Sequence, residues 1–161
     1  MPLIVLSTVF TGDLLKVYKL GRAKHSKQWP STGSLYSNGR WHRKGQFIVY
    51  TSESISLAKL EVLANSETFP VDYVLYEITI NPAVSIYHVP KKELPKNWQK
   101  IPCPAENWQM IDSLLQNYGC IKVPSAITPS EYNFLLNGRY PKFNKVFKMK
   151  MKKINLGPRL W

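Results

Sequence analysis

Apolar and polar residues alternate with a period of two along several stretches of this chain, and each such stretch predicts a strand. "VDYVLYEITI" puts Val74, Tyr76, Ile78 and Ile80 on one side, the pattern of a strand with one buried face. "KVYKL" (Lys16 to Leu20) and "FIVYT" (Phe47 to Thr51) are further strand signals, "SIYHV" (Ser85 to Val89) looks like the neighbour of "VDYVLYEITI", and the apolar opening "MPLIVLSTVF" also reads as a strand. "CIKVPSAI" (Cys120 to Ile127) predicts another, with Pro124 marking an edge or a bend because proline cannot donate to a ladder. Near the end, "NKVFKMKMKKINL" sets Phe147, Met149 and Met151 against Lys148, Lys150 and Lys152. It predicts a strand with one basic face.

Two segments switch to a helical period. Ser52 or Ser54 can cap a helix that runs to about Asn65, since a hydroxyl there accepts from an unpaired amide of the first turn. "ENWQMIDSLLQNYG" predicts a second helix from about Glu106, with Gly119 as a left-handed terminating residue. A Gly- and Ser-bearing loop follows the "KVYKL" strand, and the Pro-rich segment from Pro90 to Pro104 reads as a surface connection. Strands with two or three helices and no regular βαβ alternation predict an α+β fold with a mixed or antiparallel sheet. At 161 residues the chain is most economically one domain, 1–161.

One residue breaks the helical pattern. Glu61 falls between Leu57 and Ala58 one turn back and near Ala64 one turn on, while Lys59 lies in another sector. Its carboxylate therefore faces protein or a cleft, and a buried carboxylate requires a partner. Arg40 is the nearest candidate in sequence. The alternative is a helix-rim residue with its head in water. Likewise Arg40 alone reads as a surface arginine, Tyr50 as core packing with its hydroxyl at the rim, and Ser125 as a turn hydroxyl after Pro124.

Charge and composition narrow the field. Twenty-two Lys and Arg against ten Asp and Glu give a net charge of +12, which attracts polyanions, phosphorylated small molecules or an acidic protein. The glycines form neither a Rossmann fingerprint nor a P-loop. Cys103 and Cys120, with His25, His42 and His88, do not fall at zinc-ligand spacing, so no metal site is expected. Two free thiols suit a reducing cytoplasm. The opening segment lacks a basic n-region and a small-residue cleavage site, and it is too short to span a bilayer, so no membrane is expected. No helix-turn-helix or RNA-binding aromatic signature is present. The lysine row leaves a basic nucleic-acid-binding module open, beside a solvated face that discourages edge pairing.

"GRWHRKGQFIVYTSESISLAKLEVL", "VDYVLYEITI", "KVPSAITPSEYNFLLN" and the closing "PRLW" together resemble the RES domain, named for its arginine, glutamate and serine. The likeness runs in order from "VYKLGR" to Trp161. It implies a single RES-type domain with an ADP-ribosyltransferase-like fold. It further implies the toxin of a bacterial toxin–antitoxin pair that degrades NAD by cleaving the nicotinamide–ribose bond, through hydrolysis or phosphorolysis. An Xre-type helix-turn-helix antitoxin would hold it inactive, and nucleic acid would be met only through that antitoxin. No cofactor is implied. NAD is the substrate, and inorganic phosphate is the co-substrate of phosphorolysis.

Carried onto this chain, the resemblance makes Glu61, Ser125 and Arg40 catalytic, and Arg40, Tyr50, Lys19, Trp41 and Asn133 NAD-binding. Arg40, helped by Lys19, would hold the pyrophosphate through charge-assisted bonds. Tyr50 would meet a ring or a ribose hydroxyl. Glu61 would bond ribose hydroxyls and stabilise an oxocarbenium-like transition state, as a glycosidase carboxylate does. Ser125 would orient the nicotinamide ribose or the nucleophile. Transfer of ADP-ribose onto a macromolecule would use the same residues. Lys19 stands where the family usually has arginine, His42 where asparagine is usual, Asn65 where histidine is frequent, and Gly138 and Tyr140 where proline and histidine are often found.

Overall fold

The computed structural model describes residues 14–156 apart from residue 69. The predicted opening strand and the "PRLW" segment lie outside the described residues. Strands β1 (Lys16–Arg22), β2 (Ile48–Ser52), β3 (Tyr73–Ile80), β4 (Ile86–His88), β5 (Cys120–Pro124), β6 (Tyr132–Asn137) and β7 (Phe147–Lys153) form one sheet. Their order is β4-β5-β6-β2-β1-β3-β7. Every pairing is antiparallel except β4 with β5. Helices α1 (Ile55–Ala64), α2 (Ala105–Leu114) and the single turn α3 (Phe143–Val146) complete the α+β domain.

The period-two reading holds in β3. Val74, Tyr76, Ile78 and Ile80 share one face with Val17, Val49, Leu136 and Phe147, and Trp29 and Phe143 cover it. The opposite face is split. Ile48, Ile121, Val123 and Leu135 pack under α2 through Ile111, while Leu20 and Leu75 pack under α1 through Ala58. Burial of each such side chain contributes roughly 1.5–3 kcal/mol.

Three local expectations are corrected. The sequence pattern predicts no strand over β6, yet it lies inside the sheet between β5 and β2, and its run from Asn133 to Leu136 is buried on both faces. A strand covered on both sides loses the alternation that marks it. β5 is likewise internal, and Pro124 is tolerated at its end because β4 pairs only with Cys120, Ile121 and Lys122. Gly119 has no left-handed torsion; among the described glycines only Gly45 has positive φ, at 95°. Gly119 is there for space, since a Cβ would stand 2.7 Å from both Val84 and Tyr140.

β1 and β2 pair through one couple only, Tyr18 with Ser52. Beyond it β2 turns directly into α1, and Ser54 caps that helix by accepting from the Leu57 amide at 3.1 Å. Two links then fix the start of β6 against this turn: the Glu53 amide donates to the Tyr132 carbonyl, and the Tyr132 amide donates to the Glu53 carboxylate, both at 3.1 Å. The sheet opens at this point, and α1 lies over the opening.

Candidate active site

Leu57 and Ala58 are buried on α1, and Glu61 stands one turn further along the same side. Its Oε1 accepts from Ser125 Oγ and from Asn133 Nδ2, both at 2.8 Å. A carboxylate only accepts, so the amide nitrogen of Asn133 must face it. The other end of that amide is held as well, because Ser52 Oγ donates to Asn133 Oδ1 at 2.9 Å. Ser125 is 0% exposed, and its hydroxyl also accepts from the amides of Ile127 and Thr128 at 3.2 and 3.3 Å. With its acceptor side occupied, its hydrogen is directed at Glu61. Ser125 is thus the turn hydroxyl after Pro124, and the same hydroxyl orients the Glu61 carboxylate.

Arg40 is not the partner of Glu61. Its Nη1 donates to the carbonyls of Trp98 and Lys100 at 3.1 and 3.4 Å, so it ties the Gly39–Trp41 stretch to the Pro-rich connection. Asn107 Nδ2 reinforces this at 3.0 Å from the Trp98 carbonyl and 3.3 Å from that of Arg40, and Trp108 Nε1 donates to the Gly39 carbonyl at 2.7 Å. The Pro-rich segment is thus a wall of the site as well as a connection. Guanidinium has five donors, and Nη1 alone is engaged with these carbonyls.

Two cavities meet at Glu61. One, of about 650 Å³, runs along Arg40, Cys103, Trp108 and Ile127. The other, of about 380 Å³, lies in the opening beside β1 and borders Lys19 and Arg22. Tyr50, Glu61, Asn65 and Asn133 line both. Arg40 and Lys19, expected to act on one pyrophosphate, therefore stand in different cavities with the carboxylate between them. Lys19 faces Tyr76 in the β1–β3 ladder, so its side chain starts on the sheet face away from α1, and burial lowers its pKa. Trp41 is among the residues lining the larger cavity, and with its side chain 2% exposed and stacked on Trp98 at 5.4 Å it braces that wall. Tyr50 has its oxygen 3.2 Å from the Trp41 amide and 2.6 Å from His42 Nδ1. Burial raises its pKa, with the Trp41 hydrogen bond opposing.

The sequence profile of the RES domain matches residues 16–155. The chain belongs to the RES family. It is 35% identical over 136 residues to the toxin Res of Photorhabdus laumondii, covering 80% of this chain and 85% of that protein. It is 31% identical over 119 residues to the toxin Res of Yersinia enterocolitica, covering 71% and 78%. A protein of Sphingobium sp. strain YBL2 described as the Prs ADP-ribosylating toxin is 30% identical over 134 residues, covering 80% and 83%. Among solved structures, the M. tuberculosis MbcT–MbcA toxin–antitoxin complex contains a chain that matches with a TM-score of 0.63 and 14% identity, over 92% of this chain and 87% of that one. That likeness concerns the fold.

The departures from the usual RES residues can now be placed. Asn65 closes α1 by donating from Nδ2 to the Glu61 carbonyl at 2.7 Å while lining both cavities. Tyr140 packs edge-on against Phe147, ring centroids 6.0 Å apart, outside both cavities. His42 lies beside Tyr50 on the wall of the larger cavity. Sequence reasoning missed Asn107, which is fully buried four residues before Ile111 on α2. The signal was available: like Glu61, it is a polar residue at an apolar position of its helix.

Proposed function

We propose that this RES protein cleaves the nicotinamide–ribose bond of NAD, with Glu61 as the group that stabilises the developing charge on the sugar. The observation that carries this reading is the carboxylate at the junction of the two cavities, one oxygen fixed by Ser125 and Asn133. Preorganised charge of this kind contributes because it needs no rearrangement when the transition state forms. NAD is a two-ended molecule with its phosphates between two ribosides. Glu61 meets the ribose at the scissile bond, and Arg40 holds the phosphates.

In the reaction the bond from ribose to the pyridinium nitrogen breaks, and its electron pair leaves with neutral nicotinamide. An oxygen of water or of inorganic phosphate then bonds to the same carbon. Water gives ADP-ribose and releases a proton; phosphate gives a phosphorylated ADP-ribose. No acid is needed for the leaving group, and no cofactor beyond these substrates is invoked.

The likeness to the Sphingobium ADP-ribosylating toxin favours one second reading, in which the acceptor is a macromolecule. Relatives called toxins and a fold neighbour solved with its antitoxin support an antitoxin partner, which we take to be an Xre-type helix-turn-helix protein acting in the cytoplasm. With +12 on this chain, complementary acidic charge on that partner would speed association at low salt. No described helix is long and apolar enough to cross a membrane.

The test is incubation of folded, antitoxin-free protein with NAD, with and without phosphate, and identification of products by NMR. Free nicotinamide with ADP-ribose means hydrolysis. A phosphorylated product only in phosphate buffer means phosphorolysis, and label retained on protein or RNA means transfer. Intact NAD in both buffers defeats the proposal.

A further inference from the structure

Tyr50 lines both cavities, and the polarity it offers a ligand is decided by the nearly buried His42 beside it. His42 is 4% exposed. Its Nε2 lies 2.8 Å from the Ser37 carbonyl oxygen and its Nδ1 2.6 Å from the Tyr50 oxygen. A carbonyl only accepts, so Nε2 carries a hydrogen. Burial depresses the pKa of His42, opposed by the Ser37 carbonyl and by Asp112, so the ring is neutral near physiological pH and Nδ1 is a bare acceptor. The single proton of Tyr50 then goes to Nδ1, and the phenol oxygen accepts from the Trp41 amide at 3.2 Å.

We infer that His42 is a positioning residue that locks Tyr50 as a hydrogen-bond acceptor, so that Tyr50 receives a donor group of the substrate and rejects its phosphate oxygens. On the NAD reading, on which the identity of the donor rests, that group is a ribose hydroxyl or the carboxamide NH₂. Phosphate is left to the cations of the two cavities. The local backbone is built around this pair. The Gly39 amide donates to the His42 carbonyl at 2.9 Å, and a Cβ at Gly39 would collide with the His42 ring and lie 2.9 Å from the Tyr50 oxygen. A glycine here makes room for the histidine–tyrosine contact.

Two measurements separate this assignment from the NAD reading. Long-range proton–nitrogen NMR of the free wild-type protein reads the tautomer directly, and it should report neutral His42 with hydrogen on Nε2. A ring doubly protonated at about pH 7, or hydrogen on Nδ1, overturns the inference whether or not NAD is a substrate. The second measurement is a kinetic cycle. His42→Asn offers an acceptor near the Nδ1 position and should keep KM for NAD within about threefold. His42→Phe removes the acceptor, releases the Tyr50 proton toward the cavity, and should raise KM about tenfold, but add nothing in a Tyr50→Phe background. An equal loss with and without the Tyr50 hydroxyl would make His42 merely structural and defeat the inference. If His42→Phe does not fold, the wild-type spectrum still decides. If the wild type leaves NAD intact, the proposed function fails and the spectrum still tests the lock.

Discussion

Ser125 Oγ donates to Glu61 Oε1 at 2.8 Å across 64 positions of chain, and each end of the bond is fixed by something else. Ser125 is held by the two amides it accepts from at the end of β5. Glu61 is held by the packing of Leu57 and Ala58 one turn earlier on α1. The carboxylate thus reaches the junction of the cavities with little freedom, which is what electrostatic stabilisation of a transition state requires.

Glu61→Gln should fold at least as well as wild type, because the amide oxygen of Gln can accept from the same Ser125 and Asn133 donors. Its NAD turnover should fall on the order of 100- to 1,000-fold. Melting temperature and steady-state kinetics check this together. A folded variant with full activity would remove Glu61 from the chemistry.

Ser125→Ala removes the donor to Glu61 and strands the amides of Ile127 and Thr128, so a stability loss of about 1–3 kcal/mol is expected from denaturant melts. Since Ser125 acts through Glu61, kcat should drop in the wild-type background and change little on top of Glu61→Gln. Multiplying losses in the double variant would show that the serine acts independently.

Arg40 braces the Pro-rich segment, and on the proposed function it also holds phosphate. Arg40→Ala should raise KM for NAD about tenfold or more, and it should also lower the melting temperature, because it releases the carbonyls of Trp98 and Lys100. Arg40→Lys keeps the charge but cannot reproduce the planar fork, so part of both losses should persist. An unchanged KM in both variants would place the phosphates elsewhere.

His42 also makes stability depend on pH. Its folded pKa is lowered by burial, whereas the unfolded residue titrates near about 6.5. Between those values the unfolded chain binds more protons. Stability is therefore fully present above about 6.5 and declines as pH falls toward the folded pKa. His88 is shifted the same way by burial and by Lys122 and remains in the variant. Melting temperatures from about pH 8 down to about 5.5 should fall less steeply for His42→Asn than for wild type. Parallel curves would contradict a buried neutral His42.

The lysine row of β7 lies on a sheet edge. It is not wholly solvated, since Lys152 lies 3.3 Å from Glu77, which also pairs with Lys16 at 3.2 Å. Changing Lys148, Lys150 and Lys152 to Gln should leave NAD turnover nearly intact and cost at most about 1 kcal/mol. A large loss of turnover, or loss of a specific nucleic-acid affinity together with toxicity, would favour a nucleic-acid-binding module.

By itself the sequence determined the elements whose periodicity one buried face writes into the chain. β1, β3, α1 and β7 are legible for that reason, while β2, covered on both faces, is legible by its β-branched and aromatic residues; the oddity of Glu61 is legible too, because a carboxylate in an apolar stripe stands out against its neighbours. The order of residues from Arg40 to Ser125 was enough to suggest the family. Tertiary structure decided the pairing. It gave Glu61 to Ser125 and Asn133 and sent Arg40 to backbone carbonyls on the Pro-rich segment. It put Lys19 and Arg40 in different cavities and buried Trp41. Sequence pattern records which face of an element is covered and says little about what covers it. A hydrogen-bond partner is chosen by sheet order, here by the insertion of β6 between β5 and β2, and β6 is buried on both faces and so has no alternation to read.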